Sequence, residues 1–160
     1  MTNMQKFTRI TGEIDSLYHE AAFRLGLSDS AMTVLYTLLN TGGQCDISEI
    51  CRLSGMRKQT LNSALRKLEQ DDLLCLKNST PKNKTVFLSK KGYDAALHSA
   101  GKLQKIEEET LEEWSQDEVD TFLGLAERYM NRFRGLVELL QENGLFTEKR
   151  FRLLFRSENS

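Results

Sequence analysis

Side chains that donate hydrogen bonds cluster between residues 57 and 66, a stretch that contains no acidic residue. Lysine and arginine donate to phosphate oxygens, and glutamine or asparagine can pair with adenine through two hydrogen bonds. These residue types at this spacing predict contact with double-stranded DNA. The candidate DNA-binding residues here are Arg57, Lys58, Gln59, Thr60, Asn62, Ser63 and Arg66.

The spacing of apolar residues predicts that these donors share one face of a helix. Leu61, Ala64, Leu65 and Leu68 fall at i, i+3, i+4 and i+7, which is the apolar stripe of an amphipathic helix. The candidate donors lie opposite that stripe, with the first four of them expected in the first helical turn. A shorter helix precedes it across a turn that contains Gly55. Two helices joined in this way form a helix-turn-helix, whose second helix enters the major groove.

A basic hairpin is predicted directly after the second helix. Two β-like runs, 73–77 and 85–89, flank a turn-forming loop that holds Lys82 and Lys84. A hairpin in this position is a wing, and these two lysines are the candidate wing contacts to DNA. Lys90 and Lys91 follow the wing and are expected to stabilise backbone phosphates rather than to read base sequence.

Charge is segregated along the chain, although the formal net charge is only −1. Residues 52–91 hold ten lysines and arginines and three acids, a balance of +7 that the rest of the chain offsets with −8. A local positive surface of this kind attracts a polyanion. Two alternatives stay open: a merely solvated basic surface, and a winged-helix module that binds an acidic protein partner. DNA binding would weaken steeply with salt, which separates these alternatives.

Further elements are expected before the helix-turn-helix. Apolar periodicity predicts helices over 7–25 and 29–40, with Ser28 as the N-cap of the second. A minimal strand is expected at 45–47, and Ser48 would cap the next helix. The fold class is therefore mainly α with a small β-hairpin wing.

Helices are also expected after the wing. One is predicted to run through 95–106, and a capping box from Ser115 to Glu118 starts a last long helix that ends at 143–144. The apolar tail 151–155 is expected to dock on another surface.

Composition excludes several classes of protein. No apolar run reaches the length of a membrane span and the N-terminus has no signal-peptide stretch, so no membrane partner and a cytoplasmic location are expected. No hydrolase, P-loop, zincin or dinucleotide motif is present, so we expect no catalytic residue, cofactor or metal ligand. The three cysteines Cys45, Cys51 and Cys75 suit a reducing compartment, and whether any senses redox state stays open.

The order of these elements resembles the MarR family of winged helix-turn-helix transcription regulators. The resemblance covers most of the chain and rests on Leu27-Ser-Asp-Ser, on the segment from Arg57 to Leu74, and on Phe87-Leu-Ser-Lys-Lys-Gly92. The chain departs from the family pattern at the wing tip, where Thr80 and Lys82 occupy the slots of an Asp-x-Arg pair. It departs again at Asp72, where the family usually has a glycine; aspartate adopts a left-handed backbone less readily than glycine.

The resemblance implies a homodimer that represses transcription from a pseudo-palindromic operator and is released by a small ligand. Residues 28–92 would form the DNA-binding lobe, and residues 1–26 and 93–160 the helical dimerisation region. Apolar residues such as Ile10, Ile14, Phe133 and Val137 would then be buried between subunits. The resemblance also implies an effector pocket, whereas core packing is the alternative use of the same side chains. The candidate ligand-binding residues are Tyr18, His19, Phe23, Met32 and Tyr36, with Trp114 as a further lining residue.

Overall fold

The computed structural model describes residues 1–80 and 83–142, which form seven helices and three strands. One compact unit spans residues 1–110 and a second begins at Leu111. The predicted fold class is confirmed: the described chain is mainly helical with one small antiparallel sheet. The elements are α1 (Asn3–Arg24), α2 (Asp29–Asn40), β1 (Gln44–Asp46), α3 (Ile47–Ser54), α4 (Lys58–Gln70), β2 (Leu74–Thr80), β3 (Asn83–Leu88), α5 (Lys90–His98), α6 (Ala100–Glu112) and α7 (Gln116–Glu142).

Helix α2 is central to the first unit, where it packs against α1, α3, α4 and α5. It contributes Val34, Leu35 and Leu38, which are all completely buried. The predicted apolar stripe of α4 is buried as well, and Leu61 is 0% exposed. Burial of each large aliphatic side chain contributes about 1.5–3 kcal/mol, so this shared core fixes α4 against α2.

Local signals set the first two helix boundaries. Helix α1 starts four residues earlier than predicted because Thr2 and Gln5 form a capping box, and it ends where Gly26 takes a left-handed φ of 76°. The Leu27 amide donates to the Ala22 carbonyl at 2.9 Å, which closes the helix end. Ser28 caps α2 as predicted, since its hydroxyl accepts from the Ala31 amide at 3.2 Å.

The predicted cap of α3 is wrong. The N-cap is Asp46 rather than Ser48, and its side chain makes no capping hydrogen bond. The Asp46 carboxylate instead accepts from the Asn83 amide at 2.8 Å and from the Thr85 hydroxyl. Asp46 therefore ties β1 to the wing strand β3.

The sheet has the strand order β1-β3-β2, with both pairs antiparallel. Val86 of β3 is completely buried and pairs with Cys45 on one side and Leu76 on the other. The strands of the wing are longer than the apolar runs predicted. Asp72 precedes β2 and adopts a φ of 58°, as the family's glycine position requires.

The base of the wing packs tightly on α5. A Cβ atom added to Gly92 would lie 1.6 Å from the Leu73 carbonyl oxygen, so only glycine fits there. Ser89 caps α5, its amide donates to the Leu73 carbonyl at 3.0 Å, and its hydroxyl donates to the Asp72 carbonyl at 2.7 Å. This close approach explains why a glycine closes the Lys-Lys-Gly segment.

The single helix predicted after the wing is two helices. Ser99 breaks it, with φ −121° and ψ −81°, and the Ser99 hydroxyl donates to the Ala95 carbonyl at 2.7 Å. A serine that bonds back to the preceding turn competes with regular helix geometry.

In the second unit, the predicted capping box at the start of α7 is present. The Ser115 amide donates to the Glu118 carboxylate at 2.9 Å, and this bond lowers the pKa of Glu118. The rings of Trp114 and Phe122 meet edge to face at 5.4 Å. The predicted helix end at 143–144 and the tail 151–155 lie outside the described residues.

None of the helices in the described residues is both long and apolar enough to cross a membrane.

Candidate nucleic-acid interface and cavity

The exposed face of α4 carries six of the seven donors that the sequence singled out here, and the seventh, Arg57, directly precedes the helix. Each is solvent-exposed, opposite the buried stripe of Leu61, Ala64, Leu65 and Leu68. The Ser63 hydroxyl donates to the Gln59 carbonyl at 3.2 Å, so its oxygen remains able to accept. From Lys58 to Arg66 this face presents cationic, amide and hydroxyl groups only. We call it the α4 face, defined by Arg57, Lys58, Gln59, Thr60, Asn62, Ser63 and Arg66.

Arg57 lies one position before the helix rather than in its first turn, which corrects the sequence prediction. It occupies the N-cap with an extended backbone, φ −67° and ψ 141°, and its side chain makes no capping hydrogen bond. In residues 1–80 and 83–142, no side chain caps the first amide groups of α4. Amide groups and the helix dipole at such an end attract an anion, which matches a phosphate approached by the flanking Arg57 and Lys58.

The cations of the α4 face keep their charge unpaired. In the part of the chain that the structure describes, no carboxylate lies within 4.0 Å of Arg57, Lys58 or Arg66. Arg52 differs, because it pairs with Glu49 at 2.5 Å, which raises the pKa of Arg52 and lowers that of Glu49. The positive potential of the helix-turn-helix is therefore concentrated on α4 rather than on α3.

The basic residues in the wing and directly after it differ in their exposure and hydrogen bonding. Lys84 is exposed on β3, opposite Asn78, whereas the wing-tip candidate Lys82 lies outside the described residues. Lys91 donates to the Asp71 carbonyl at 2.7 Å, at the C-terminal end of α4, while Lys90 is exposed. Lys91 thus has a structural bond in addition to the phosphate contact that the sequence suggested.

A cavity of about 400 Å³ lies among α1, α2 and α6. It brings together four of the predicted ligand-binding residues and adds six that the prediction did not include. Its lining residues are Tyr18, His19, Met32 and Tyr36, together with Asp15, Ala22, Asp29, Thr33, Leu103 and Glu107.

Phe23 does not line this wall. It is 78% exposed, because one residue of helix turns it about 100° away from its buried neighbour Ala22. Trp114 belongs to the second unit, where it contacts Phe122. Ligand binding by Phe23 and Trp114 stays a prediction.

Glu107 is the functional candidate that sequence reasoning missed. Its two carboxylate oxygens accept from the Tyr18 hydroxyl at 2.5 Å and the Tyr36 hydroxyl at 2.6 Å. The only signal in the sequence is that Glu107 lies four residues after the buried Leu103, which places both on one helical face.

The Glu107 carboxylate raises the pKa values of both tyrosine hydroxyls. The hydrogen bond to Glu107, with partial burial and its negative charge, raises the pKa of Tyr18 to about 12. Burial first, and then Glu107, raises the pKa of Tyr36. Both phenols therefore remain protonated donors at neutral pH. Next to them, His19 Nδ1 lies 2.7 Å from a carboxylate oxygen of Asp29.

The three cysteines differ in burial. Cys45 is buried, which raises the pKa of its thiol and disfavours a reactive thiolate, whereas Cys51 is half-buried and Cys75 is exposed. Within residues 1–80 and 83–142, no group of three or more acidic, histidine or cysteine side chains is arranged to hold a metal ion.

Comparison with known proteins finds one family model that matches part of the chain. The sequence model described as "MarR family" matches residues 25–79, which include α2, the helix-turn-helix and most of β2. No curated protein sequence matches the chain.

Solved structures of MarR family proteins share the fold. NMB1585, a MarR family regulator from Neisseria meningitidis, matches with a TM-score of 0.77 at 14% identity, over 86% of this chain and 98% of its own. MepR of S. aureus in complex with DNA matches with a TM-score of 0.67 at 14% identity, over 83% and 98%. The regulator MOSR of M. tuberculosis in complex with DNA matches with a TM-score of 0.57 at 16% identity, over 84% and 99%. The resemblance seen in the sequence is confirmed. MarR family members are transcriptional regulators rather than enzymes.

Proposed function

Because this chain has the MarR family fold and its residues 25–79 match the family model, we propose that it is a homodimeric, sequence-specific DNA-binding repressor of transcription. The proposal includes a cytoplasmic location, a pseudo-palindromic operator, and release of that operator by a small ligand. Residues 28–92 would form the DNA-binding lobe, and residues 1–26 and 93–160 would form the dimerisation region.

The observation that carries the proposal is the α4 face. Among the described residues, Arg57 and Lys58 have no carboxylate partner and lie at a helix end that no side chain caps; Gln59 follows directly and Asn62 one turn later. Cations and backbone amides hold phosphates and set the register, whereas Gln59 and Asn62 can read adenine in the major groove. Two copies of α4 about 34 Å apart would contact successive major grooves of one operator.

Dimerisation is supported by the outer helices, each considered by itself. Helix α1 has 22 residues and only Ala22 is buried, while Ile10, Ile14 and Leu17 are 49%, 44% and 63% exposed. In α7, Phe133 is 56% exposed. Apolar surface of this extent on a soluble lobe favours burial against another protein surface. A second copy of the same chain is the partner that a two-fold operator requires.

Ligand release is supported by the position of the cavity. Met32 and Tyr36 line it from α2, and α2 also packs against α3 and α4. A ligand that shifts α2 would therefore shift the recognition helix, because close-packed helices move as connected bodies.

The central test is binding of the purified protein to genomic fragments, including its own upstream region, across a salt series. We expect a footprint of two half-sites and an affinity that falls log-linearly with salt. Replacement of one phosphate-contacting arginine removes two contacts per dimer, so Arg57→Gln should lower the salt slope by roughly 2. Arg66→Gln should weaken binding as well. Lys102→Gln, which removes an exposed cation of α6, is the matched control.

Equal binding by wild type, Arg57→Gln and Arg66→Gln would contradict the assignment of the α4 face. Weak, sequence-indifferent binding that is unaffected by cavity ligands would favour the alternative of an acidic protein partner.

Dimerisation is tested by sedimentation equilibrium. A charge at Ile14 would lie in an apolar contact twice per dimer, at about 1.5–3 kcal/mol each, so Ile14→Glu should weaken association by at least a hundredfold. Ser16→Glu places the same charge on the opposite side of α1 and should leave association unchanged. If both variants dimerise like wild type, α1 is not part of the interface.

A further inference from the structure

The cavity among α1, α2 and α6 is negatively charged. Three of its lining residues are carboxylates, Asp15, Asp29 and Glu107, and among residues 1–80 and 83–142 no lysine or arginine lines it. Within the same residues His19 is the one basic lining residue, and its Nδ1 faces Asp29 at 2.7 Å. An anionic ligand would meet net repulsion in this site, because unscreened like charges within a few ångströms oppose binding.

Glu107 gives the charge a fixed position. Both of its oxygens accept hydrogen bonds from neutral phenols, and its side chain is half-buried. Among the described residues, no lysine, arginine or histidine nitrogen lies within 4.0 Å of it. A partly desolvated carboxylate without a counter-cation is costly, and a bound cation would relieve that cost.

The rest of the wall suits an organic body. Ala22 and Leu103 are buried apolar residues at the cavity, and Met32 adds a flexible, polarisable side chain. The rings of Tyr18 and Tyr36 also line it. Aromatic faces attract cations as well as apolar groups. A volume of about 400 Å³ lies within the range of small-molecule sites.

We propose that this cavity binds an amphipathic organic cation, an ammonium group on an aromatic or aliphatic body, with the ammonium directed at Glu107. The body would pack on Ala22, Met32 and Leu103. The inference names the chemical class of the effector and rests on the proposed function only for its regulatory consequence. Binding itself requires no DNA.

The test is calorimetric titration of the full chain with 2-phenylethylammonium and benzyltrimethylammonium, and with benzyl alcohol and benzenesulfonate as neutral and anionic counterparts. We expect at least one cation to bind at least tenfold more tightly than either counterpart. Glu107→Gln keeps the size of the side chain but removes its charge, so it should weaken that cation about tenfold or more while leaving benzyl alcohol unchanged.

Controls separate charge from folding. Glu108→Gln removes a neighbouring exposed carboxylate of α6 that does not line the cavity, and should bind the cation like wild type. Thermal unfolding checks that Glu107→Gln remains folded, and if it does not, Asp29→Asn in the same cavity takes its place. Binding of neither cation, tighter binding of benzenesulfonate, or undiminished cation binding by the folded variants would overturn the inference.

Operator binding is measured separately, in the same buffers. If the cation binds with the expected charge dependence but operator affinity stays constant, the site stands and ligand release in the proposed function fails. If the protein binds no DNA at all, the calorimetric result still decides the nature of the cavity.

Discussion

Gly92 offers a test of how the wing is positioned. The added methyl group of Gly92→Ala would lie 1.6 Å from the Leu73 carbonyl oxygen, 2.6 Å from its carbon and 3.1 Å from its Cα. All three atoms belong to the backbone, so no side-chain rotation can relieve the overlap. The first turn of α5 and the residues before β2 must separate by roughly 2 Å to reach ordinary van der Waals contact.

The cost follows from the bonds that this separation breaks. The Ser89 amide bond to Leu73, at 3.0 Å, and the Ser89 hydroxyl bond to Asp72, at 2.7 Å, both cross the gap. So does the Lys91 bond to Asp71, at 2.7 Å. Three bonds at about 0.5–1.5 kcal/mol each, less about 1 kcal/mol for the helix preference of alanine, give an expected loss of about 0.5–3.5 kcal/mol. The upper end is a large part of the stability of an ordinary domain.

The measurement is urea unfolding by circular dichroism at one fixed protein concentration, since association would also contribute to stability. Gly101→Ala in α6 is the matched control, because its Cβ would lie at an ordinary 3.7 Å from the nearest atom, the Ala96 carbonyl oxygen. It should gain up to about 1 kcal/mol from helix propensity. Equal stability of the two variants would refute the close approach of α5 to Leu73.

Three further predictions follow from single contacts. Asp72→Gly should raise the free energy of unfolding by up to about 1 kcal/mol, because φ is 58° there. Asp71→Gly, at a φ of −84°, should lower the free energy of unfolding and serves as the control. A change of the same sign in both variants would contradict the left-handed backbone at Asp72. Asp46→Ala removes the acceptor for Asn83 and Thr85, which should cost about 1–3 kcal/mol and speed amide exchange in β3; unchanged exchange would exclude this link. In Glu107→Gln the pKa of Tyr18, about 12 in the wild type, should fall toward its ordinary value. Ultraviolet titration of tyrosinate measures this. Because the folded-state pKa is raised, the stabilising contact persists at neutral pH and is lost as pH rises from the ordinary value through about 12. An unshifted titration would show that Glu107 does not hold the phenol.

Much of the fold could be predicted because it depends on patterns of neighbouring residues, such as apolar periodicity and helix caps. The apolar stripe of α4, the cap at Ser28 and the capping box at Ser115 each depend on residues within one or two helical turns of one another. The donors of the α4 face follow from the same periodicity, since residues opposite a buried stripe must face solvent. The left-handed backbone of Asp72 agrees with the glycine that the family resemblance implies at this position.

Two wrong predictions concern a helix N-cap and a helix break, neither of which helical periodicity reveals. Asp46 has a typical capping side chain, yet its carboxylate is drawn to Asn83 and Thr85 on another strand. Ser99 interrupts a helix that its neighbours favour, and a hydrogen bond from its hydroxyl to Ala95 accompanies the break. At Asp46 a side-chain bond with a favourable geometry outweighed the pattern of the surrounding residues.

The amino-acid sequence by itself determined the winged helix-turn-helix order and the chemistry of its exposed face, because helical period, caps and turn residues act over a few positions. Only the tertiary structure decided what Glu107 does. Tyr18 and Tyr36 precede it by 89 and 71 residues, and they meet it only because α1, α2 and α6 pack around one cavity. A contact over such separations depends on how whole helices pack, and no local pattern of residues carries that information.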